Sequence, residues 1–413
     1  MRKLVVALTA VASLWLAPGA FAAWCGSGET GADRLPDAVT AQQIHGIVVV
    51  PSDAPDTFPA AANQLADDAA SMTSWWQGQD STRVPRFDQA LFGGTACLDI
   101  SFERLPETTA SYTGMGADAA FQQIGQDLIS AGFDDPYKKY LVYFEGPSVQ
   151  DDICGVGGGD FGSGPSFAIV IPAGCTDVPS DTTATHELLH ALGAVPAGDP
   201  HCPADPAHPC DSPTDILYPT TDGSPLSTKV LDFNHDDYYA HSQPWPDIQD
   251  SLWLHRLDEP QVSLGIAFAG GAGKVSSEMP GLDCTAACST QWDPGAIVPL
   301  EAEPSGTDRF VQWKGACTGR GTCLVTVAQS LAVTALFGPL RIPLHVSSIG
   351  EGKVTCSPAC SKTFAAGNAL RLKAVAAKGW KFGGWSGGCK GPRLTCTPAT
   401  DYALTVKARF RKR

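Results

Sequence analysis

Two histidines and a glutamate stand in the order His186-Glu187-Leu188-Leu189-His190, followed by Gly193. On a helix, residues four apart lie on one face, so the two imidazoles can bind one metal ion. Glu187 then lies beside that ion, where a general base that deprotonates a water molecule is needed. The pattern therefore predicts a Zn2+ site with His186 and His190 as ligands and Glu187 as the catalytic base. The alternative is a chance match on a buried helix, which Gly193 and the downstream cluster of His and Asp disfavour.

The elements around this motif are predicted to be strands and helices in alternation. Ser180 or Asp181 can cap the metal helix, and Gly193 can end it in a left-handed turn. Apolar and amphipathic runs predict strands at 46–52, 97–102, 139–144 and 167–171 and helices at 60–76 and 116–131. The glycine-rich run 155–159 leads to no helix or lysine, so it predicts a surface loop. Residues 230–256 are expected to close the domain with a final helix.

With this order of elements before it, the stretch 186–193 resembles the metzincin clan of zinc endopeptidases. The resemblance implies an α/β (α+β) domain, with a twisted sheet over two helices and the active helix on the floor of a cleft. It also implies an edge strand that binds substrate in extended form. Residues 167–171, just before the metal helix, are the candidate for that strand.

The third metal ligand is where the sequence departs from the clan. The metzincin pattern has a histidine at the position of Pro196, and proline cannot bind metal. His201 is the favoured third ligand, because 193–201 resembles a variant in secreted bacterial peptidases with a short insertion before Pro-His. Asp199, His208 and Asp211 remain as alternatives.

Residues 215–218 resemble the methionine-containing turn that metzincins place beneath the metal. Leu217 stands where methionine is expected, and it fills a similar volume. By this resemblance Asp215 could orient a ligand histidine, and Tyr218 could stabilise an oxyanion.

The start of the chain and its cysteines point to export. Residues 1–22 have a basic start, a short apolar run and an Ala-x-Ala site, which predicts a secretory signal peptide and a secreted protein. No later run is long enough for a transmembrane segment. The 14 cysteines predict disulfides. Proximity in the sequence suggests Cys25–Cys97, Cys154–Cys175 and Cys202–Cys210, with two local disulfides in each C-terminal module.

The C-terminal part contains an internal repeat. Cys284-x3-Cys288 matches Cys356-x3-Cys360, and a tryptophan precedes the third cysteine of each copy by four residues. The copies, covering about 265–413, resemble the internalin-type B repeat, a small β module of exported proteins that implies attachment or spacing. The predicted domains are therefore a signal peptide (1–22), a zinc peptidase domain (23–260) and two all-β, disulfide-containing modules (261–340 and 341–413).

Charge is divided unevenly along the chain. Residues 23–260 contain 8 basic and 35 acidic residues, whereas 341–413 contain 14 basic and 2 acidic ones. Such asymmetry indicates separate roles for the two ends. The basic module is a candidate for binding an anionic cell-surface polymer or the acidic domain of its own chain, and a solvated, non-binding face is the simpler alternative. No nucleic-acid partner is expected.

The sequence thus predicts a secreted zinc endopeptidase that acts on protein or peptide substrates. Two alternatives remain open. One is a catalytically degenerate protease fold that serves as a surface-binding or adhesion protein, which Pro196 and Leu217 favour and an intact Glu187 disfavours. The other is a zinc hydrolase that cleaves a cell-wall cross-link.

Overall fold

The computed structural model describes most of residues 24–413. The described residues are 24–26, 28–150, 153–159, 161, 164–195, 201–203, 205–220, 222–339, 341–357, 360, 363–365, 370–398 and 404–413. The predicted signal peptide, Pro196 and the alternative ligand Asp199 lie outside them. Among the described helices, none is both long and apolar enough to cross a membrane.

The chain divides into two compact units. The first unit ends at Gln261 and also includes Met279–Leu282 and Trp292–Pro294. The second unit contains Val262–Glu278, Asp283–Gln291 and Gly295–Arg413.

The first unit is mixed α/β. Its α-helices in the described residues are α1 (Phe58–Gln79), α2 (Thr109–Met115), α3 (Ala117–Ala131) and α4 (Ser180–Ala191). Its strands are β1 (Gln43–Val50), β2 (Arg83–Pro85), β3 (Gln89–Phe92), β4 (Thr95–Leu98), β5 (Ile100–Arg104), β6 (Lys138–Phe144), β7 (Gly155–Gly158), β8 (Phe167–Val170) and β9 (Leu254–Arg256). Short 3-10 turns lie at Leu226–Thr228 and Ile248–Asp250. The predicted alternation of strands and helices is therefore confirmed.

A five-stranded sheet forms the centre of this unit, in the order β5-β1-β6-β8-β7. The first four strands are parallel, and β7 runs antiparallel to β8. Strands β1, β6 and β8 are buried along their whole length. The apolar runs 47–50, 141–144 and 167–170 within them fit this position, because a parallel sheet is covered on both faces.

Helices cover both faces of the sheet. Helices α1 and α4 pack on one face, where Leu65 and Leu188 meet Val48 and Tyr143. Helices α2 and α3 pack on the other, where residues such as Leu128 meet the opposite side of β1, β6 and β8. The alternation of side chains along each strand supplies both interfaces. Helix α4 is thereby fixed against the sheet along one side.

Three of the sequence-based predictions for this unit are wrong. The glycine-rich run is not a surface loop, since residues 155–158 form the edge strand β7. Residues 167–171 are not the edge, because β8 lies between β6 and β7. The predicted final helix in 230–256 is also absent from that described segment, whose backbone instead turns around Asp232. The Asp232 carboxylate accepts hydrogen bonds from the N–H groups of residues 236–239.

The segment before β1 is attached to the sheet by buried charges. Lys138 is fully buried and its Nζ donates to Asp33, Asp37 and Asp88 at 2.5–2.6 Å. The three carboxylates raise the pKa of this ammonium far above its usual value, against the effect of burial. The Cys25–Cys97 disulfide fixes the same segment covalently.

The second unit is entirely β in its described residues. The strands of its first repeat are β10 (Val262–Ala269), β11 (Gly273–Ser276), β12 (Asp283–Cys284), β13 (Cys288–Trp292), β14 (Ala296–Pro304), β15 (Asp308–Gly315), β16 (Cys323–Val327) and β17 (Leu331–Pro339). Those of its second repeat are β18 (Arg341–Ile349), β19 (Gly352–Ser357), β20 (Thr363–Ala365), β21 (Arg371–Ala376), β22 (Trp380–Gly387), β23 (Thr395–Cys396) and β24 (Leu404–Lys412).

The two repeats share one topology. In each, the last long strand pairs in parallel with the first and antiparallel with the strand that carries the tryptophan. The indoles of Trp313 and Trp385 each donate to a backbone carbonyl eight residues later, at 2.8 Å. The predicted repeat is therefore confirmed at the level of individual hydrogen bonds.

Seven disulfides use all 14 cysteines. The three pairings suggested for the first unit form, and each repeat contains two local disulfides, as predicted. A chain with this many disulfides is typical of an oxidising, extracellular environment.

Candidate metal centre

Helix α4 carries the predicted motif and ends where the sequence predicts. Gly193 adopts φ 91°, and the N–H groups of Gly193 and Ala194 donate to the carbonyls of His190 and Leu189 at 3.0 Å. This left-handed cap closes the helix one turn after the second histidine. The predicted side-chain cap at its start is not observed: Pro179 precedes the helix, and the Asp181 carboxylate accepts from Ser71.

Three imidazoles converge beside α4. The Nε2 atom of His186 lies 3.2 Å from that of His190 and 3.3 Å from that of His208, and the remaining pair is 3.3 Å apart. Nitrogens bound to one tetrahedral zinc at 2.0–2.1 Å are about 3.3 Å from one another. The three rings therefore fit one metal ion in the geometry that zinc prefers.

The outer nitrogens of two rings have polar neighbours, and that of His186 is hydrogen-bonded. His186 Nδ1 donates to the carbonyl oxygen of Ile216 at 2.7 Å, and His208 Nδ1 lies 3.1 Å from Asp205 Oδ1. The His186 ring thus carries its proton on Nδ1 and directs its Nε2 lone pair at the common centre, whereas His208 Nδ1 is near Asp205 but makes no hydrogen bond. Lone pairs that face each other at this distance repel unless a cation lies between them.

Electrostatics keep the pair on α4 in the form that binds metal. Burial, and then the nearby His208, lower the pKa of His186 to about 4. Burial, His186 and His208 lower the pKa of His190 well below its usual value. Both rings are neutral at pH 7, and only the neutral imidazole is a ligand.

The structure places His208, and not the favoured His201, beside the pair on α4. His201 does not join the cluster: its Nδ1 lies 2.6 Å from Asp237 Oδ1, and its side chain is 40% exposed. Asp211 is exposed as well. His208, one of the alternatives, takes the third position. The reason is the Cys202–Cys210 disulfide, which closes a loop whose successive turns carry His208 over α4 and leave His201 outside it.

The turn at 215–218 supports the centre from below, but not through the contact expected of Asp215. The Asp215 carboxylate accepts from the N–H groups of Leu217 and Phe233 at 2.7 Å and from the Tyr238 hydroxyl at 2.9 Å. It therefore holds the turn whose carbonyl orients His186, and it contacts no histidine directly. Leu217 is fully buried at the position expected for methionine.

The Glu187 side chain lies between α4 and β7. Burial raises the pKa of its carboxyl to about 8, against the effect of a hydrogen bond from the N–H of Gly157. A cation held by the three histidines would lower this pKa again. Strand β7 approaches so closely because of its glycines: a Cβ at Gly157 would collide with the Glu187 carbonyl oxygen and lie 2.9 Å from His190 Cβ.

Gly157→Ala is therefore expected to displace Glu187 or β7 and to lower both activity and stability, the latter by about 1–3 kcal/mol as in other overpacked sites. Gly158→Ala is the matched control, because its Cβ would find the Phe121 ring at 3.8 Å and no closer atom. Denaturant titration and peptide turnover of both variants measure the difference. Equal behaviour of the two variants would contradict the role given to this close approach.

A cleft of about 640 Å³ opens over the three histidines and Glu187. Its walls include β7, the Cys154–Cys175 disulfide, the start of α3 and the segment around Pro219. Asp118 and Asp177 line it, and no lysine or arginine is among its described lining residues. Tyr218 does not line this cleft in the structure, although its neighbours Pro219 and Thr220 do.

Two contributors to the centre were not identified from the sequence: the Ile216 carbonyl and the Gly157 N–H. The two backbone groups have no sequence signature. The close approach of β7 to α4 did have a sequence signature, because Gly155, Gly157 and Gly159 recur with the two-residue period of a strand. A Cβ at any of the three would collide with neighbouring atoms.

Comparison with known proteins identifies the C-terminal repeats. The family described as "Divergent InlB B-repeat domain" matches residues 267–339 and 342–413. This confirms the repeat resemblance for both copies.

Other comparisons bear on the whole chain. A search of curated proteins found no match. Among solved structures, wild-type OgpA from Akkermansia muciniphila is similar at a TM-score of 0.26 and 11% identity, over 91% of this chain and 97% of that one. Catalytically inactive OgpA in complex with an O-glycopeptide (glycodrosocin) substrate is similar at a TM-score of 0.25 and 11% identity, with the same coverage. TM-scores this low establish no common fold.

Proposed function

We propose that the first unit is a metzincin-like zinc endopeptidase of an exported protein. The observation that carries this proposal is the convergence of three Nε2 atoms at 3.2–3.3 Å beside the buried carboxylate of Glu187. His186, His190 and His208 would hold the metal and leave its fourth position open, as in catalytic zinc sites.

Glu187 acts in this proposal as the general base and acid. When bound, zinc would supply Lewis acidity to a water molecule and to the scissile carbonyl. The Glu187 carboxylate takes a proton from the attacking water and delivers it to the nitrogen of the leaving amine. The Gly157 N–H holds the carboxylate in place during both transfers.

The position of β7 supports a peptide as substrate. It is the last strand of its sheet and borders the cleft, so an extended peptide can pair with its open edge by backbone hydrogen bonds. Asp118 and Asp177 make the cleft acidic, which favours peptides with neutral or basic side chains near the cleaved bond. Residues 167–171 take no part in this, because β8 is internal.

The test combines metal analysis with peptide digestion. The purified mature chain is expected to contain about one zinc per molecule and to cleave a denatured protein such as casein. Chelation should abolish cleavage, and added zinc should restore it. Bound zinc without cleavage would instead support the surface-binding alternative, and cleavage of cell-wall fragments only would support the cross-link hydrolase. Cleavage that survives complete removal of metal would exclude the proposal.

A further inference from the structure

The outer face of the second repeat carries a row of cations on one strand. Lys407, Arg409 and Arg411 alternate along β24 with Val406, Ala408 and Phe410, which are buried in the core of the repeat. The three cations are exposed and lie on one face at intervals of about 6.6–6.8 Å. Because β24 is paired on both sides, by β18 and β22, this cationic ladder crosses the middle of the sheet.

Within the described part of its repeat, the ladder has no paired counter-charge. Glu351 is the one acidic residue among the described residues of 341–413. No ion pair joins a described carboxylate to Lys407, Arg409 or Arg411. Lys381 on β22 lies directly opposite Arg411 in the register, and like charges in that position are destabilising. These unpaired like charges lower the stability of the repeat, and a module with only a structural role would gain nothing from them.

The first repeat shows what the same position looks like without these charges. Its equivalent strand, β17, has Thr334, Leu336 and Gly338 where β24 has the three cations. The residue that faces this position from the neighbouring strand also differs between the two repeats. In the first repeat Val311 lies over Gly338, with 3.6 Å between its Cγ2 and a Cβ built on that glycine.

In the second repeat the glycine lies on the strand that carries the tryptophan, and the large residue lies on the last strand. Gly383 replaces Val311, and Arg411 replaces Gly338. The Arg411 side chain lies across Gly383, where a Cβ would be 3.1 Å from its Nε and 3.3 Å from its Cγ. The missing side chain at Gly383 thus leaves room for Arg411 to pack against the neighbouring strand. This packing distinguishes Arg411 from an incidental surface charge.

We propose that the cationic ladder binds a linear phosphodiester polymer with non-aromatic linkers, aligned along β24. A phosphodiester backbone carries one charge in every repeating unit, so consecutive phosphates can meet consecutive cations. Arginine and lysine both bind phosphate, arginine through two parallel hydrogen bonds. An acidic peptide would need a carboxylate at every second residue to do the same.

The surroundings of the ladder disfavour a single-stranded nucleic acid. Proteins that bind such strands stack the bases on aromatic side chains. The residues in register beside the three cations are Ser347, Ile349, Lys381, Gly384 and Ser386, and none is aromatic. The ladder can therefore bind the charged backbone of a polymer, but the residues in register beside it provide no aromatic ring on which a base could stack.

The test measures binding of the full mature chain to immobilised poly(glycerol phosphate). Substitution of Lys407, Arg409 and Arg411 by Thr is expected to lower the affinity at least tenfold at low salt. It should also reduce the slope of log K against log salt by about 2, at roughly 0.7 per lost contact. The matched control replaces Lys353, Arg371 and Lys373 by Thr. These are exposed residues of the other sheet of the same repeat, so the net charge changes equally.

The control variant is expected to lose clearly less affinity than the ladder variant. Both variants should cleave peptide as the unmodified chain does. Equal losses in the two variants would show a nonspecific effect of net charge and overturn the proposal. Ladder-dependent binding that is tighter to polyglutamate or to a single-stranded oligonucleotide of equal charge would reassign the partner. Absence of binding at low salt would also overturn it, and none of these results bears on the metal centre.

Discussion

Glu187→Gln is expected to retain bound zinc and to lower peptide turnover by about 10²–10⁴-fold, the usual contribution of a positioned general base. Zinc should remain because the three converging nitrogens belong to His186, His190 and His208, and Glu187 is not among them. The amide has the size of the carboxylate but cannot accept the proton of the attacking water. The measurement is kcat/KM on a peptide, together with zinc content.

Glu103→Gln is the matched control for this change. Glu103 is a partly buried glutamate on β5, at the opposite edge of the sheet, and burial raises the pKa of its carboxyl too. Its activity should stay close to that of the unmodified chain. Near-normal turnover by Glu187→Gln would rule out the mechanism proposed for this site.

His208→Ala is expected to lose zinc, whereas His201→Ala is expected to keep it. Removing one of three protein ligands should weaken binding by more than the roughly 10–100-fold seen when an outer partner is lost. His201 interacts with Asp237, outside the cluster, so its removal leaves all three converging nitrogens in place. Metal content after dialysis against a weak chelator, followed by peptide cleavage, separates the two variants.

The outcome of this pair decides between two ligand sets. Zinc retained in His208→Ala and lost in His201→Ala would restore the ligand predicted from the sequence. Asp205→Asn adds a graded comparison, because Asp205 Oδ1 is the carboxylate oxygen 3.1 Å from His208 Nδ1. It is expected to weaken zinc binding by about 10–100-fold, less than His208→Ala does.

Local spacing was sufficient to predict the parts of the site that lie on one helix. His186, Glu187 and His190 share α4, so the periodicity of the helix alone places them together. The same reasoning predicted the cap at Gly193 and the two-disulfide repeats, whose partners are only four to seven residues apart. In each case the contact is decided within a few residues of the chain.

The remaining parts depend on contacts that are distant in sequence. His201 and His208 both follow α4 on the same loop, and which one reaches the pair depends on how that loop closes and on the carboxylate of Asp237. Strand β7 was missed because glycine is unfavourable in strands, and here it is required by the proximity of α4. Residues 230–256 form turns because one buried carboxylate, that of Asp232, takes the place of helical hydrogen bonds.

The Cys202–Cys210 disulfide also makes the metal centre depend on the redox history of the chain. A crosslink over so short a loop reduces the entropy of the open loop by an amount equivalent to about 2.5 kcal/mol. Before oxidation, helix α4 still presents its two histidines, but the loop must bring His208 to them without that help. Under the proposed function, a chain in which Cys202 and Cys210 remain reduced would therefore hold metal weakly and cleave little. Under the same function, oxidation of Cys202 and Cys210 would be the step that makes the centre competent for hydrolysis.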